Sequence, residues 1–236
     1  MLLWKNIPLL ILSLLFPLTL YAQSCVVYLY WDSPDLDLVE EEVRNSLLIA
    51  EAESEKAGVV FIPSKSLKEV EALSRECDNL YLFLAGHSEE DRIGPYSPFE
   101  LKEALERIRE RGTRIPLLVF DTCYWGEVYK ERFFAFPETV VVGSYAEELQ
   151  FGLRGIYLNL SKIVGSSPES ILKEVLLSFH RFYYPLYRMQ GRSYDRAGFK
   201  CQTVRVYYRG VVLSQSVCYD SLFSYNQSKE RKRRLK

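Results

Sequence analysis

Between Cys25 and Ser144 five short apolar runs alternate with segments of helical periodicity, and few architectures accommodate that alternation. The runs are Val26 to Trp31, Val59 to Ile62, Leu80 to Gly86, Ile115 to Thr122 and Thr139 to Ser144. Strands separated by helices assemble into a mostly parallel sheet, because each parallel connection needs a crossover that then covers a face. The third run lacks polar alternation, as expected where both faces are buried. Val39, Val43, Leu47 and Ala50 fall on one helical face, and Gly58 stands just past its end. Ser66 and Glu69 read as a capping box opening a helix through Leu73. Ser97, Pro98 and Glu100 combine a capping box with proline at the first helical position. Leu101, Leu105 and Ile108 line that helix, and Gly112 closes it. Ser167 and Pro168 open a long helix through Leu172, Val175, Phe179 and Phe182. The expected fold is α/β in three layers, with a mostly parallel central sheet and a C-terminal β-hairpin.

The first 22 residues read as an export signal. Lys5 is followed by an apolar run from Ile7 to Leu20, broken by Pro8 and Pro17. That run is short for a spanning helix, which needs about 20 apolar residues, and it suits a secretory leader. Small residues at Ala22 and Ser24 allow cleavage after either. The expected location is therefore secreted or periplasmic. The remaining chain divides into an α/β domain over 23–190, a hairpin appendage over 191–228 and a basic tail over 229–236. The tail holds six bases and one acid and reads as a solvated terminus. Membrane contact is expected only through the signal segment or this tail. A net charge of −1 over 236 residues gives no electrostatic reason to expect a nucleic-acid partner.

Export changes how the cysteines read, since an oxidising compartment favours pairing. There are five, Cys25, Cys77, Cys123, Cys201 and Cys218, so one stays unpaired within the chain. Strand formers on either side of Arg209-Gly210 read as a hairpin. A two-residue turn there sets Tyr208 opposite Val211 and, counting outward, Cys201 opposite Cys218 in a non-hydrogen-bonded pair. That separation, about 4.5 Å between Cα atoms, lies within disulfide range; the alternative is two separate buried thiols. Cys25 opens the first strand and Cys77 precedes the third, so a neighbouring placement of those strands makes a second bridge feasible. Cys123 is then left over.

The chemistry gathers where strands end. His87 follows the third strand and Cys123 the fourth, and functional groups in open α/β sheets collect at the carboxyl ends of strands. A histidine beside a thiol stabilises the thiolate and, as imidazolium, protonates a leaving group. His180, inside an apolar helix, reads as packed or exposed. Two scattered histidines without close cysteine spacing give no metal ligand set.

Gly86-His87 and Asp121-Thr122-Cys123, each at the end of a strand, resemble the signature of the caspase-like cysteine peptidases. The stretch from Asp121 through Tyr129, Glu131, Arg132 and Phe133, then Val140 to Ser144, is most similar to the legumain and GPI-anchor transamidase branch. The resemblance covers residues 80–150. It implies a caspase-like fold, Cys123 as nucleophile and His87 as general acid/base. It implies an oxyanion hole from the backbone N–H groups of Ser88 and Cys123, and an S1 pocket bordered by Asp121 and Ser144. A carboxylate in S1 suits Arg or Lys at P1, with Asn the legumain-like alternative. The implied partner is a peptide or protein substrate, and no cofactor or metal is needed. Ser88 departs from the family's usual glycine. That departure keeps a second function open, a non-catalytic binding or scaffold protein in which Glu89, Glu90 and Asp91 form an acidic binding loop. A transpeptidase using the same thioester is a third.

Overall fold

The computed structural model describes residues 23–31, 37–86, 88, 92–122, 136–144, 154–188 and 199–220. Over 37–42, 179–188, 199–204 and 214–220, and at 144 and 154, only the backbone is described. The chain runs β1 (Ser24–Tyr30), α1 (Asp37–Ala57), β2 (Val60–Ser64), α2 (Leu67–Leu73), β3 (Asn79–Ala85), α3 (Pro98–Glu110) and β4 (Arg114–Asp121). It continues through β5 (Val140–Ser144), α4 (Arg154–Tyr157), α5 (Leu160–Ile163), α6 (Pro168–Arg188), β6 (Phe199–Tyr208) and β7 (Val211–Asp220). No helix among the described residues is long and apolar enough to cross a membrane.

One seven-stranded sheet runs β2-β1-β3-β4-β5-β6-β7, parallel through β5 and antiparallel beyond. Alternation along each strand divides the core into two layers. Cys25, Val27, Leu29, Leu80, Leu82, Leu84, Leu118 and Phe120 face Leu67 and Val70 of α2 and Leu101, Leu105 and Ile108 of α3. Val26, Tyr28, Tyr81, Phe83, Leu117 and Val119 face the other way, toward Ala50 of α1, Tyr157, Leu160 and Ile163 of α4 and α5, and Val175 of α6. Leu80 through Leu84 are 0–2% exposed, the two-sided burial that the unalternated third run implied. The edge strand β2 carries Pro63, which lacks a ladder donor and is tolerated at such an edge.

The helix ends follow local chemistry. Ser97 and Glu100 close a reciprocal capping box with Pro98 in the first turn of α3. At α2 only half of the expected box forms: Ser66 Oγ accepts from Glu69 N–H at 3.3 Å. The Glu69 carboxylate instead takes Lys65 N–H at 3.0 Å and Ser64 Oγ at 2.9 Å. The short connection from β2 keeps those two donors within its reach.

Two further differences concern the C-terminal half. The short helices α4 and α5 have no counterpart in the sequence reading, since four residues are too few to show a period. The hairpin continues the sheet instead of standing beside it: β6 pairs with β5 from Val141↔Tyr207 to Ser144↔Val204. Val206 and Tyr208 enter one core layer and Tyr207 the other. Its turn is as counted, with Tyr208 opposite Val211 and positive φ at both Arg209 (49°) and Gly210 (76°). That is the primed turn whose twist matches a tight hairpin. The register also sets Cys201 opposite Cys218. Their side chains lie outside the described ones.

Candidate active site

β3 and β4 are neighbours in parallel register, Leu84 beside Phe120 and Ala85 beside Asp121. The ladder runs one step further, with Gly86 N–H pointing to Asp121 C=O at 3.4 Å. His87 and Cys123, the next residues in the chain after Gly86 and Thr122, lie outside the described residues, as do Glu89, Glu90 and Asp91. What the structure supplies is the frame on either side of them.

On the α2/α3 face that frame is built on Trp31. It directly follows β1, donates its N–H to Ala85 C=O at 3.4 Å and is 8% exposed. In sheets ordered 2-1-3-4-5 the crevice between the first and third strands is the usual ligand position, and the indole occupies this side of it. Two glycines make room. A Cβ on Gly86 (φ +141°) would lie 2.6 Å from the indole nitrogen, and one on Gly94 (φ +56°) would lie 2.2 Å from Cε2. Both positions thus require glycine for space and for a conformation that L side chains seldom adopt. Tyr96 packs edge-on to the indole at 6.3 Å between centroids and accepts Leu67 N–H at its hydroxyl at 3.0 Å. Ser88, 2% exposed, forms an antiparallel bridge with Ile93, which in turn exchanges hydrogen bonds with Tyr96 at 2.9 and 3.0 Å. Ser88 is thereby held to Ile93 and, through it, to Tyr96.

On the opposite face the frame is Asp121. The residue is 8% exposed, and its carboxylate accepts the Tyr157 hydroxyl at 2.7 Å. Tyr157 is fully buried beside Phe83 and Tyr28, at 5.0 and 5.7 Å between centroids. Burial first, then the charge of Asp121, raises its pKa well above 10, so the hydroxyl remains a donor. Thr122 is buried, and its Oγ1 has no hydrogen-bond partner among the described residues. Ser144 ends β5 one strand further, next to Gly143, which stands beside Phe120.

Asp121, Ser88 and Ser144 therefore line one edge of the sheet, at the ends of β4, β3 and β5. Gly94, Tyr96 and Tyr157 are absent from the sequence reading, and Trp31 enters it only as the end of the first apolar run. The Gly94-Pro95 pair was a legible turn signal, whereas nothing local couples Trp31 to it or Tyr157 to Asp121. Cys25 and Cys77 form a disulfide at the other edge, with Cα atoms 5.8 Å apart, where the strand order was expected to bring them. Two cavities, of about 370 and 530 Å³, also open at that edge around Gly112 and Thr113, away from the ends of β3 and β4.

The fold is that of the caspase-like cysteine peptidases. The solved structure of a secreted C11 cysteine protease from Bacteroides thetaiotaomicron, in complex with an irreversible peptide inhibitor, is similar with a TM-score of 0.53. The two share 11% identity over 80% of this chain, which spans 66% of that protease. At that identity the likeness is one of fold. No family model matches the chain, and no curated protein does.

Proposed function

We propose that the chain is an exported cysteine endopeptidase in which Cys123 attacks the scissile carbonyl and His87 acts as general acid/base. The observation that carries this reading is the pairing of β3 with β4 up to Gly86 and Asp121. The two reactive residues follow those positions by one and two residues, and adjacent strands lie about 4.8 Å apart. A thiolate formed there adds to the carbonyl carbon. The imidazolium returns its proton to the leaving amine, and water then hydrolyses the thioester. The Ser88 and Cys123 backbone N–H groups are the donors for the oxyanion. The anchoring of Ser88 through Ile93 supports its role, because a donor helps only when it is held in place before reaction.

Asp121 and Ser144 are the proposed S1 residues. A carboxylate anchored by Tyr157 recommends Arg or Lys at P1, with Asn second. The stretch from Asp121 to Ser144 places the chain, in this reading, nearer the legumain and GPI-transamidase branch. A Cys201–Cys218 bridge is proposed on the register of the hairpin, and export on the leader together with the Cys25–Cys77 disulfide.

The test is iodoacetamide labelling of the native protein from pH 5 to 9, read by peptide mass spectrometry. The expected result is fast labelling of Cys123 alone below pH 7, slowed in His87→Ala, with cleavage of Arg, Lys or Asn peptides. An ordinary thiol profile indifferent to His87 would favour a binding protein on the same fold. Transfer of the acyl group to an added amine in preference to water would identify a transpeptidase.

A further inference from the structure

We infer that the leader is removed at the Ala22–Gln23 bond and that Asp78 receives the α-ammonium group this frees. The inference rests on export and is independent of the chemistry assigned to Cys123. Sequence left two bonds open, after Ala22 and after Ser24, and the fold distinguishes them. Gln23 precedes β1 with its main chain engaged on both sides: its N–H donates to Asp78 Oδ2 at 2.6 Å. Its C=O accepts from Asp78 N–H at 2.8 Å and from Asn79 N–H at 3.2 Å. Ser24 already belongs to the ladder opposite Asn79, whose Nδ2 donates to Ser24 Oγ at 3.4 Å. A cut after Ser24 would delete these contacts and start the chain at Cys25. Lipid modification of Cys25 is also disfavoured, because a thioether needs the sulfur that is bonded to Cys77.

Hydrolysis adds one water across the bond. Ala22 leaves with the carboxylate, and Gln23 keeps the nitrogen, protonated at neutral pH. The Asp78 contact then becomes a charge-assisted ammonium–carboxylate pair without rearrangement. The pair has a chemical consequence. A free N-terminal glutamine cyclises when its unprotonated α-amine attacks its own side-chain Cδ; the new N–C bond forms, the carboxamide C–N bond breaks, and ammonia departs. A carboxylate against the ammonium disfavours the unprotonated form, so Asp78 slows this loss.

The experiment exports the full chain from a secreting host and measures the intact mass of the product. That product is then held at pH 8 while ammonia loss is followed for the native chain and for Asp78→Asn. The expected start is Gln23 with its ammonia retained, and cyclisation about twofold to fivefold faster in Asp78→Asn, the scale of an exposed ion pair. An exported product beginning at any other residue overturns the cleavage assignment while leaving export intact. Equal rates, or a native product already cyclised on arrival, overturn the role of Asp78. A product retained inside the cell with its leader defeats export as well.

Discussion

The two edges of the sheet are built in opposite ways. At the amino-terminal edge the segments are tied to one another: Cys25 is bonded to Cys77, and Asp78 exchanges hydrogen bonds with Gln23. There Arg114 N–H donates to Asp78 C=O at 2.9 Å, the buried Thr113 hydroxyl to Ser74 C=O at 2.9 Å, and Gly165 N–H to the Tyr81 hydroxyl at 2.8 Å. At the carboxyl-terminal edge the last ladder contacts stretch to 3.4 Å at Trp31 and Gly86. Order there comes from side chains, the indole between two glycines and the tyrosine beneath Asp121. The sheet is thus joined at one edge and propped from below at the other, and the proposed site lies at the propped edge.

The largest expected effect tests whether that edge is the working one. Cys123→Ala, and separately His87→Ala, should lower peptide hydrolysis by about 10³-fold or more, with the urea midpoint unchanged. A variant that keeps its activity would move the site elsewhere. Opening the tied edge comes next. Replacing Cys25 and Cys77 together by serine releases a sequence separation of 52 residues and should cost about 4 kcal/mol in the chain-entropy account. Equilibrium unfolding would read this, and a loss near zero would show that the hydrogen bonds alone hold the edge.

Gly94→Ala addresses the prop on the α2/α3 face. Overpacking against the indole and a strained positive φ should together cost about 2–3 kcal/mol. Peptidase activity should fall as well, because Ser88 is held through the same turn; full activity in a destabilised protein would uncouple prop from site. Tyr157→Phe removes one donor from a buried carboxylate and should cost about 1–2 kcal/mol. It should also weaken discrimination for basic over neutral P1 residues, read as a ratio of kcat/KM values.

The smallest effect lies away from both edges. Glu71 accepts two hydrogen bonds from Arg107, at 3.0 and 2.7 Å, and this pairing lowers its pKa from the usual 4.5. Its folded pKa lies below its unfolded one, so the contribution is present above about pH 4.5 and lost as pH falls through the folded value. Solvent screens the pair. Arg107→Ala should slightly flatten the loss of stability between pH 5 and 3, and an unchanged slope would show that the pair contributes nothing measurable.

Much of the fold was legible because its signals are local. Ser97, Pro98 and Glu100 start a helix from chemistry within four residues, and Arg209-Gly210 fixed a ten-pair hairpin register through one turn. The absence of polar alternation from Leu80 to Gly86 marked a strand buried on both faces. The Cys25–Cys77 bridge was accessible because the first and third strands of doubly wound sheets are commonly neighbours. The candidate site was legible only as two motifs at strand ends.

By itself the sequence determined the layered α/β class, the parallel strands and the residue types that end β3 and β4, since periodicity, capping and turn chemistry act over a few residues. Only the tertiary structure decided that the hairpin extends the sheet from β5. It alone placed Trp31 against Gly86 and Gly94, and Tyr157 beneath Asp121. Those contacts join residues 36 to 63 positions apart in the chain, and no local preference encodes them. They form because packing at interior density leaves one space for the indole, and because a buried carboxylate requires a donor.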